Sequence, residues 1–315
     1  MNYYELMKAA AIAGTGITGK PAMDDYAAIA KIVRAGKAQD FFRIGEQIIC
    51  KYTATNGTVY DMPFDIVDFG TKTLENGKVV PAMIIQSHYA TLESIQFDAA
   101  EPNRPAEEDY SGQIASGGWN RWLKSAYRQW LNSANVKGEW WAAQNDYDAE
   151  PSEHASVNGF MRGLPARFLS MLKPVKVETV RNYRDADTAQ AEGTYEYDTT
   201  FDTFWLPSRE EEYVTANEPS HREGEAWQYW IDTLTPEAQM EYEPLPQQTY
   251  TEQSHHILMS HRRFALDDTE TSVIVRLRSC DRNMSRGGWI IYKEGWVSGY
   301  GSSSSLRCTP ACAIC

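Results

Sequence analysis

Basic residues are in deficit in this chain: 30 Lys and Arg stand against 43 Asp and Glu, a formal net charge of −13. That balance argues against nucleic acid or anionic lipid as a partner, because both are held by cationic surfaces. No apolar stretch approaches the length of a membrane span, so membrane insertion is not expected. The opening MNYYELMKAAAIAG lacks a basic n-region, and synthesis in the cytosol is expected without a signal peptide. Catalytic signatures are missing too. There is no GxSxG, no phosphate-cradling Gly-rich loop, no dinucleotide fingerprint and no HExxH.

Cysteine is scarce and odd in number: Cys50, Cys280, Cys308, Cys312 and Cys315. Cys280 with the last three could offer four thiolates to zinc, but the C-x3-C-x2-C run lacks paired knuckles. Buried, reduced thiols are the expectation, with no metal and no cofactor. His255, His256 and His261 lie close together without a carboxylate-flanked pattern, so they read as polar surface. Glu210, Glu211 and Glu212 are adjacent, whereas glycoside hydrolysis needs two carboxylates held apart by different elements. No catalytic residue is expected.

What the chain does have is rings and acid. Aromatics make up 12%, with 10 Trp and 18 Tyr, a mild sign of recognition surfaces. Seventeen acidic residues and only two basic ones, Arg209 and Arg222, lie between Asp185 and Glu252, and read as a solvated face or insertion.

Residues 1–45 read as two short helices that attach the protein or mediate oligomerisation. Asn2 and Glu5 form a capping box ahead of a Leu6, Ala9, Ala10, Ile12 stripe. The second helix starts near Asp24 and Asp25, places Tyr26, Ile29, Ile32 and Val33 on one face, and closes at Gly36. Residues 46–315 read as the main α+β domain. Asn56-Gly57 predicts a type I′ hairpin turn, and Asn76-Gly77 precedes a further strand over 79–86. WNRWLKSAYRQWLN, residues 119–132, predicts the best helix of the chain with an apolar core face. A second helix is predicted over 158–172, broken or kinked at Pro165. VKVETV, TFDTFWLPS and SVIVRLRS read as strands, the last alternating cleanly into the tail.

The tail CDRNMSRGGWIIYKEGWVSGYGSSSSLRCTPACAIC mixes large rings with Ser and Gly and follows neither helical nor strict strand periodicity. Rigid aromatics among small adaptable residues are the chemistry of a binding surface. Arg278, Trp289, Gly295, Val297, Arg307, Pro310 and Ala311 have the character of anchors. Between them stand Asp281, Met284, Arg286, Gly287, Ile290, Tyr292, Lys293, Glu294, Trp296, Ser298, Tyr300 and the run Ser302, Ser303, Ser304, Ser305, Leu306, which look free to vary. An irregular but fixed core segment is the plainer alternative.

The W-x-x-W-L-x-S stretch and the RLRSC–N–GGW–G-x-V–RCTPACAI ending resemble gut bacterial and phage proteins with a C-type lectin-like domain. The ending is similar to variable proteins of diversity-generating retroelements. The resemblance covers roughly residues 45–315 and is strongest at Trp119 to Ser133 and Val275 to Cys315. It implies a C-type lectin-like fold on a formylglycine-generating-enzyme-like scaffold. It places Arg278, Ser279, Cys280, Trp289, Gly295, Arg307, Pro310 and Ala311 in the fixed part. The ligand-contacting set it implies is Asp281, Met284, Arg286, Ile290, Tyr292, Lys293, Glu294, Trp296, Ser298, Tyr300, Ser302, Ser304 and Leu306, with Tyr292, Trp296 and Tyr300 as anchors. Glu101-Pro102-Asn103 is a chance match to a calcium motif, and the formylglycine-type cysteine pair is not evident.

The expected protein is therefore a non-enzymatic receptor-binding protein of a phage tail fibre or tail tip, carried on the virion. Its partners would be a host cell-surface protein or glycan and other tail-fibre proteins, with a homo-oligomer, a trimer favoured. The rivals are a carbohydrate-active or sulfatase-modifying-like enzyme, which would gather separated carboxylates in a pocket, and a purely structural virion component.

Overall fold

The structure is a computed structural model that describes residues 19–182, 195–214, 222–233 and 263–315. The first expected helix, with Leu6, Ala9, Ala10 and Ile12, and the cluster His255, His256 and His261 lie outside the described residues, as does part of the acidic block.

Helix α1 (Tyr26–Arg34) begins where Asp25 accepts a hydrogen bond from the Ala28 N–H at 3.2 Å. Tyr26, Ile29, Ala30 and Val33 recur at helical spacing and are buried, so one face docks on the main core rather than projecting from it. A short helix α2 (Ala38–Phe41) follows and buries Phe41 in the same core.

Strands β1 (Gln47–Ile48), β2 (Lys51–Thr53), β3 (Val59–Asp61), β4 (Phe64–Thr73), β5 (Val79–Ser87) and β6 (Ile95–Gln96) come next. The β2–β3 turn differs from the predicted type I′. Ala54 closes on Gly57 and on Thr58, and only Gly57 takes positive φ, at 87°. The Asn56 side chain instead accepts from the Thr58 N–H at 2.9 Å. This is a three-residue loop ending in a left-handed glycine, and the turn around Asn76 and Gly77 has the same bonds. Asn acts here through its side chain, not through a left-handed backbone.

The helix expected over 119–132 is shorter. Residues 122–124 form a 3-10 turn, Ser125 is extended at φ −68 and ψ 143, and α4 (Ala126–Leu131) starts after it; α3 (Gln113–Gly117) lies just upstream. Ser125 takes the Arg128 N–H on its hydroxyl, the ordinary action of an N-cap, and so resets the helix. The apolar face is core as expected: Trp119, Trp122, Tyr127, Trp130 and Leu131 are buried. Trp122 and Trp130 each satisfy the indole N–H, on Asp202 and on the Asn158 carbonyl, both at 2.9 Å. Pro165 splits the 158–172 segment into a 3-10 turn at Phe160–Gly163 and α5 (Ala166–Leu169).

The remaining strands are β7 (Val175–Val180), β8 (Tyr197–Asp202), β9 (Phe204–Trp205), β10 (Arg263–Ala265), β11 (Asp268–Val273), β12 (Val275–Cys280), β13 (Gly287–Ile291), β14 (Val297–Gly301), β15 (Ser305–Leu306) and β16 (Ala311–Ile314), with α6 (Gln228–Thr233) between β9 and β10. The main sheet runs β1-β4-β5-β16-β9, all neighbours antiparallel. The last strand sits inside it, with Ala311 opposite Gln86 and Ile314 opposite Met83. All four residues of β16 are buried. The second sheet of note is β12-β13-β14, beside two-stranded pairs β7-β8 and β10-β11. The result is a mixed α and β fold of mostly small antiparallel sheets and few helices, in keeping with the α+β expectation.

Candidate functional site: the surface from Asp281 to Leu306

The segment leaves β12, turns, runs out along β13, reverses at Tyr292–Trp296, returns along β14 and loops into β15. The reversal repeats the three-residue loop: the Tyr292 N–H donates to Trp296 O at 2.7 Å, the Gly295 N–H to Tyr292 O at 2.8 Å, and Gly295 takes φ 96°. Gly295 is thus an anchor for a backbone reason, since a side chain there would be strained. At this tip the Tyr292 and Trp296 rings stack, centroids 4.5 Å apart and 21° between planes. Lys293 and Glu294 between them are exposed. Tyr300 stands four residues beyond Trp296 on the edge strand, on the order of 13 Å away at strand rise, and is 41% exposed.

The segment is therefore a surface, but not at every expected position. Arg286, Lys293, Glu294 and Tyr300 are exposed, and Met284, Tyr292, Trp296, Ser298, Ser304 and Leu306 are half-buried. Ile290, Ser302 and Asp281 are buried. Ile290 lies on the middle strand, between Arg276 and Ser298, so its inner face is covered. Ser302 is enclosed where its N–H meets Arg286 O and its carbonyl takes the Asp98 N–H. Asp281 turns inward and caps the Asn283 N–H at 2.8 Å. Among the expected anchors, Trp289 is half-buried beneath Arg209, 4.8 Å from guanidinium carbon to ring centroid, and Arg307 pairs with Asp267 at 2.7 Å.

What holds the segment is the main chain. The buried Asn120 amide donates to the carbonyls of Met284 and Gly287, both at 2.6 Å, and of Asp281 at 3.2 Å. Asn182 donates to Asp281 O at 2.6 Å and also to Met284 O. Arg276 donates to the carbonyls of Gly301 at 2.7 Å, Tyr300 at 3.2 Å and Ser304 at 3.3 Å. Gln96 takes Ser303 O at 2.7 Å and Tyr127 takes Leu306 O at 3.0 Å. Side chains of the segment make contacts as well: Ser305 donates to Glu153, Arg286 reaches the Ser116 hydroxyl at 3.4 Å, and Arg282 donates to the Arg181 carbonyl at 3.3 Å. A clamp on carbonyls works whatever side chain each residue carries.

Strand β12 supplies the cations behind this surface. SVIVRLRS reads as an alternating strand, yet all six residues of β12 are buried. Arg276 is held by carbonyls and lies over the Phe97 ring, 5.7 Å from its centroid, and burial draws its guanidinium down to about 10. Arg278 is also fully buried; burial pulls its value down, but Glu211 and Glu223 around it carry it above the ordinary one. Sequence reasoning marked Arg278 as an anchor and missed Arg276, Asn120 and Asn182. The signal available was two arginines inside an apolar strand, where an unpaired charge is too costly to be incidental.

Two other constellations lie outside the segment. A cavity of about 460 Å³ opens beside β7, with Arg278, Glu211 and Glu223 lining it and Lys72, Lys176 and Glu178 among its walls. It gathers carboxylates from separated segments. Those on its floor are occupied, however. Glu211 accepts from Arg278 and from the Ser208 N–H at 3.1 Å, and Glu223 from the Val180 N–H at 2.9 Å and the Ser279 hydroxyl. Asp98, Glu101 and Asp148 bring carboxylate oxygens within 4.8 Å of one another. Burial, then Asp148 and Glu101, push the Asp98 carboxyl well up, while Arg104 bridges Glu101 at 2.8 Å. This trio is the one group among the described residues that could hold a cation by its donor atoms. Among the described residues the four cysteines considered for zinc are not gathered in that way; none of the five is in a disulfide and all are buried.

The profile of a family described as "Domain of unknown function (DUF6273)" matches residues 83–314. The chain belongs to the DUF6273 family. The matched span starts inside β5 and ends in β16, so it takes in the β12-β13-β14 sheet, the carbonyl clamps and the whole Asp281–Leu306 segment. Neither the curated proteins nor the solved structures compared with the chain gave a match.

Proposed function

We propose that this chain is a ligand- or receptor-binding protein that presents the segment Asp281–Leu306 on a C-type lectin-like scaffold, at the tip of a phage tail fibre. One observation carries the reading: upstream side chains hold the segment by its main-chain carbonyls, which leaves its own side chains free to differ. A scaffold of that kind suits a diversity-generating retroelement, which rewrites side chains and must leave the fold intact. The last strand seated inside the main sheet, with a small separate sheet carrying the variable strands, supports the lectin-like reading.

Recognition is non-covalent. The stacked pair Tyr292 and Trp296, together with Tyr300, supplies rigid apolar area, and Arg286, Lys293 and Glu294 supply charge around it. A cell-surface protein or glycan of the host fits that mixture of rings and polar groups.

Replacing Tyr292, Trp296 and Tyr300 together with Ala tests the proposal. Binding to the host cell should fall at least tenfold in a protein that melts normally; unchanged binding would sink it. A reverse-transcriptase gene and an Asn-codon-rich near-copy of the 3′ end should stand near the gene if the retroelement reading is right. The cavity beside β7 favours an enzyme in its shape, but its floor carboxylates serve as structural acceptors, and the binder accounts for more of the molecule.

A further inference from the structure

We propose that the cavity beside β7 is a second binding site, for a small zwitterion of the amino-acid or short-peptide class. It shares no residue with Asp281–Leu306 and does not depend on the function proposed for that segment. The walls come from Lys72 on β4 and Lys176 and Glu178 on β7, strands joined by the Leu74–Val175 bridge, and from the stretch around Glu225. About 460 Å³ is within the range of small-molecule sites.

The lining decides the ligand class. Among the described residues it holds four cationic and four carboxylate side chains, with Val177 the only apolar side chain. An apolar ligand would strip water from these charges and return nothing. A ligand with charge of one sign would meet as much repulsion as attraction. One donor remains for an anionic group among the described residues, because the Arg278 guanidinium is 1% exposed and is spent on Glu211 and on the carbonyls of Leu206 and Glu223. Lys72 forms no salt bridge among them and instead lies over the Trp205 ring, 5.3 Å from its centroid. Glu178 is already paired with Lys176 at 2.8 Å, whereas Glu225 is exposed at the rim and open to an ammonium group. A carboxylate would thus sit toward Lys72, and an ammonium toward Glu225.

Isothermal titration of the full chain with the dipeptide alanyl-alanine tests this. Binding is expected with a Kd on the order of 1 mM or tighter. The same dipeptide capped at both ends, which carries no charge, should not bind. Lys72→Met and Glu225→Gln should each weaken binding about two- to fivefold; Glu225→Gln should leave melting unchanged, and the melting of Lys72→Met, which gives up the contact with the Trp205 ring, is read beside its binding. The Tyr292, Trp296 and Tyr300 triple-Ala variant should bind the dipeptide as the parent does. No binding at about ten times the expected Kd, equal binding of the capped peptide, or indifference to both substitutions would overturn the proposal.

Discussion

The side-chain amide of Asn120 donates to the main-chain carbonyl of Gly287 at 2.6 Å, and the same nitrogen serves Met284 and Asp281. One buried residue thereby fixes the path of a turn without touching any of its side chains.

Asn120→Ala should destabilise the protein by about 1–2 kcal/mol, because the three carbonyls lose one donor while Asn182 still serves Asp281 and Met284 and the Asp281 N–H still serves Gly287. Arg286→Ala and Ser304→Ala, on the segment that Asn120 supports, should each stay within about 0.5 kcal/mol of the parent. Urea denaturation measures both. Equal losses from clamp and surface would mean that the segment is ordinary core, and would remove the main support for a variable surface.

Ile290→Ala separates the buried member of the segment from its exposed neighbours. Ile290 is 0% exposed on the central strand β13, so truncation should cost about 3 kcal/mol through lost burial and a residual cavity. Lys293→Ala and Glu294→Ala at the tip should be close to neutral in the same assay. A neutral Ile290→Ala would show that β13 does not pack as described.

These contrasts mark how far the sequence could be read. The α1 face, the positions of the two Asn-Gly turns and the strands around VKVETV were legible, because local periodicity and turn chemistry set them, whereas the type I′ geometry expected at Asn56-Gly57 was not what formed. The 119–132 helix was read too long, since the indole and ring spacing ran unbroken across Ser125 while the hydroxyl was capping a new start. Inward and outward alternation in SVIVRLRS misled for another reason: both faces of β12 are covered, and its arginines are buried on carbonyls and carboxylates. The tail's composition pointed to a surface, but only tertiary packing separates Ile290 and Ser302 from Tyr300. Asp98, Glu101 and Asp148 were not legible as a group, as the fold alone brings Asp148 to the other two.

The thiols offer a check on the core. Burial pushes Cys50 and Cys308 up to about 12 and Cys315 to about 11, and raises Cys312 well above the ordinary value. At pH 8 a thiol near 12 is thiolate in roughly one part in ten thousand, and the thiolate is the nucleophile. Native protein should therefore react with Ellman's reagent orders of magnitude more slowly than protein in urea, where all five cysteines should titrate. A rapidly reacting native thiol would mean that the β16 region opens far more readily than its packing implies.

Asp98 gives a prediction with a definite sign. Burial raises its carboxyl well above the usual range, and the neighbouring Asp148 and Glu101 add to the rise; burial also raises Glu101, against the pull of Arg104. A carboxyl raised on folding binds its proton more tightly in the native state than in the unfolded chain, whose value is about 3.9. Its contribution is therefore fully present below that pH and is lost as pH rises through the native value. Glu46 and Asp267, which are lowered on folding, change stability in the opposite direction, so the total curve does not isolate Asp98. Asp98→Asn does. The amide still offers an oxygen to the Trp119 N–H, which Asp98 accepts at 3.2 Å, and it carries no charge to bury. The variant should gain stability relative to the parent as pH is raised from about 4 toward neutrality, measured by urea denaturation at each pH. A difference that stays flat, or that shrinks as pH rises, would mean that the Asp98 carboxyl ionises in the native state as easily as in the unfolded chain.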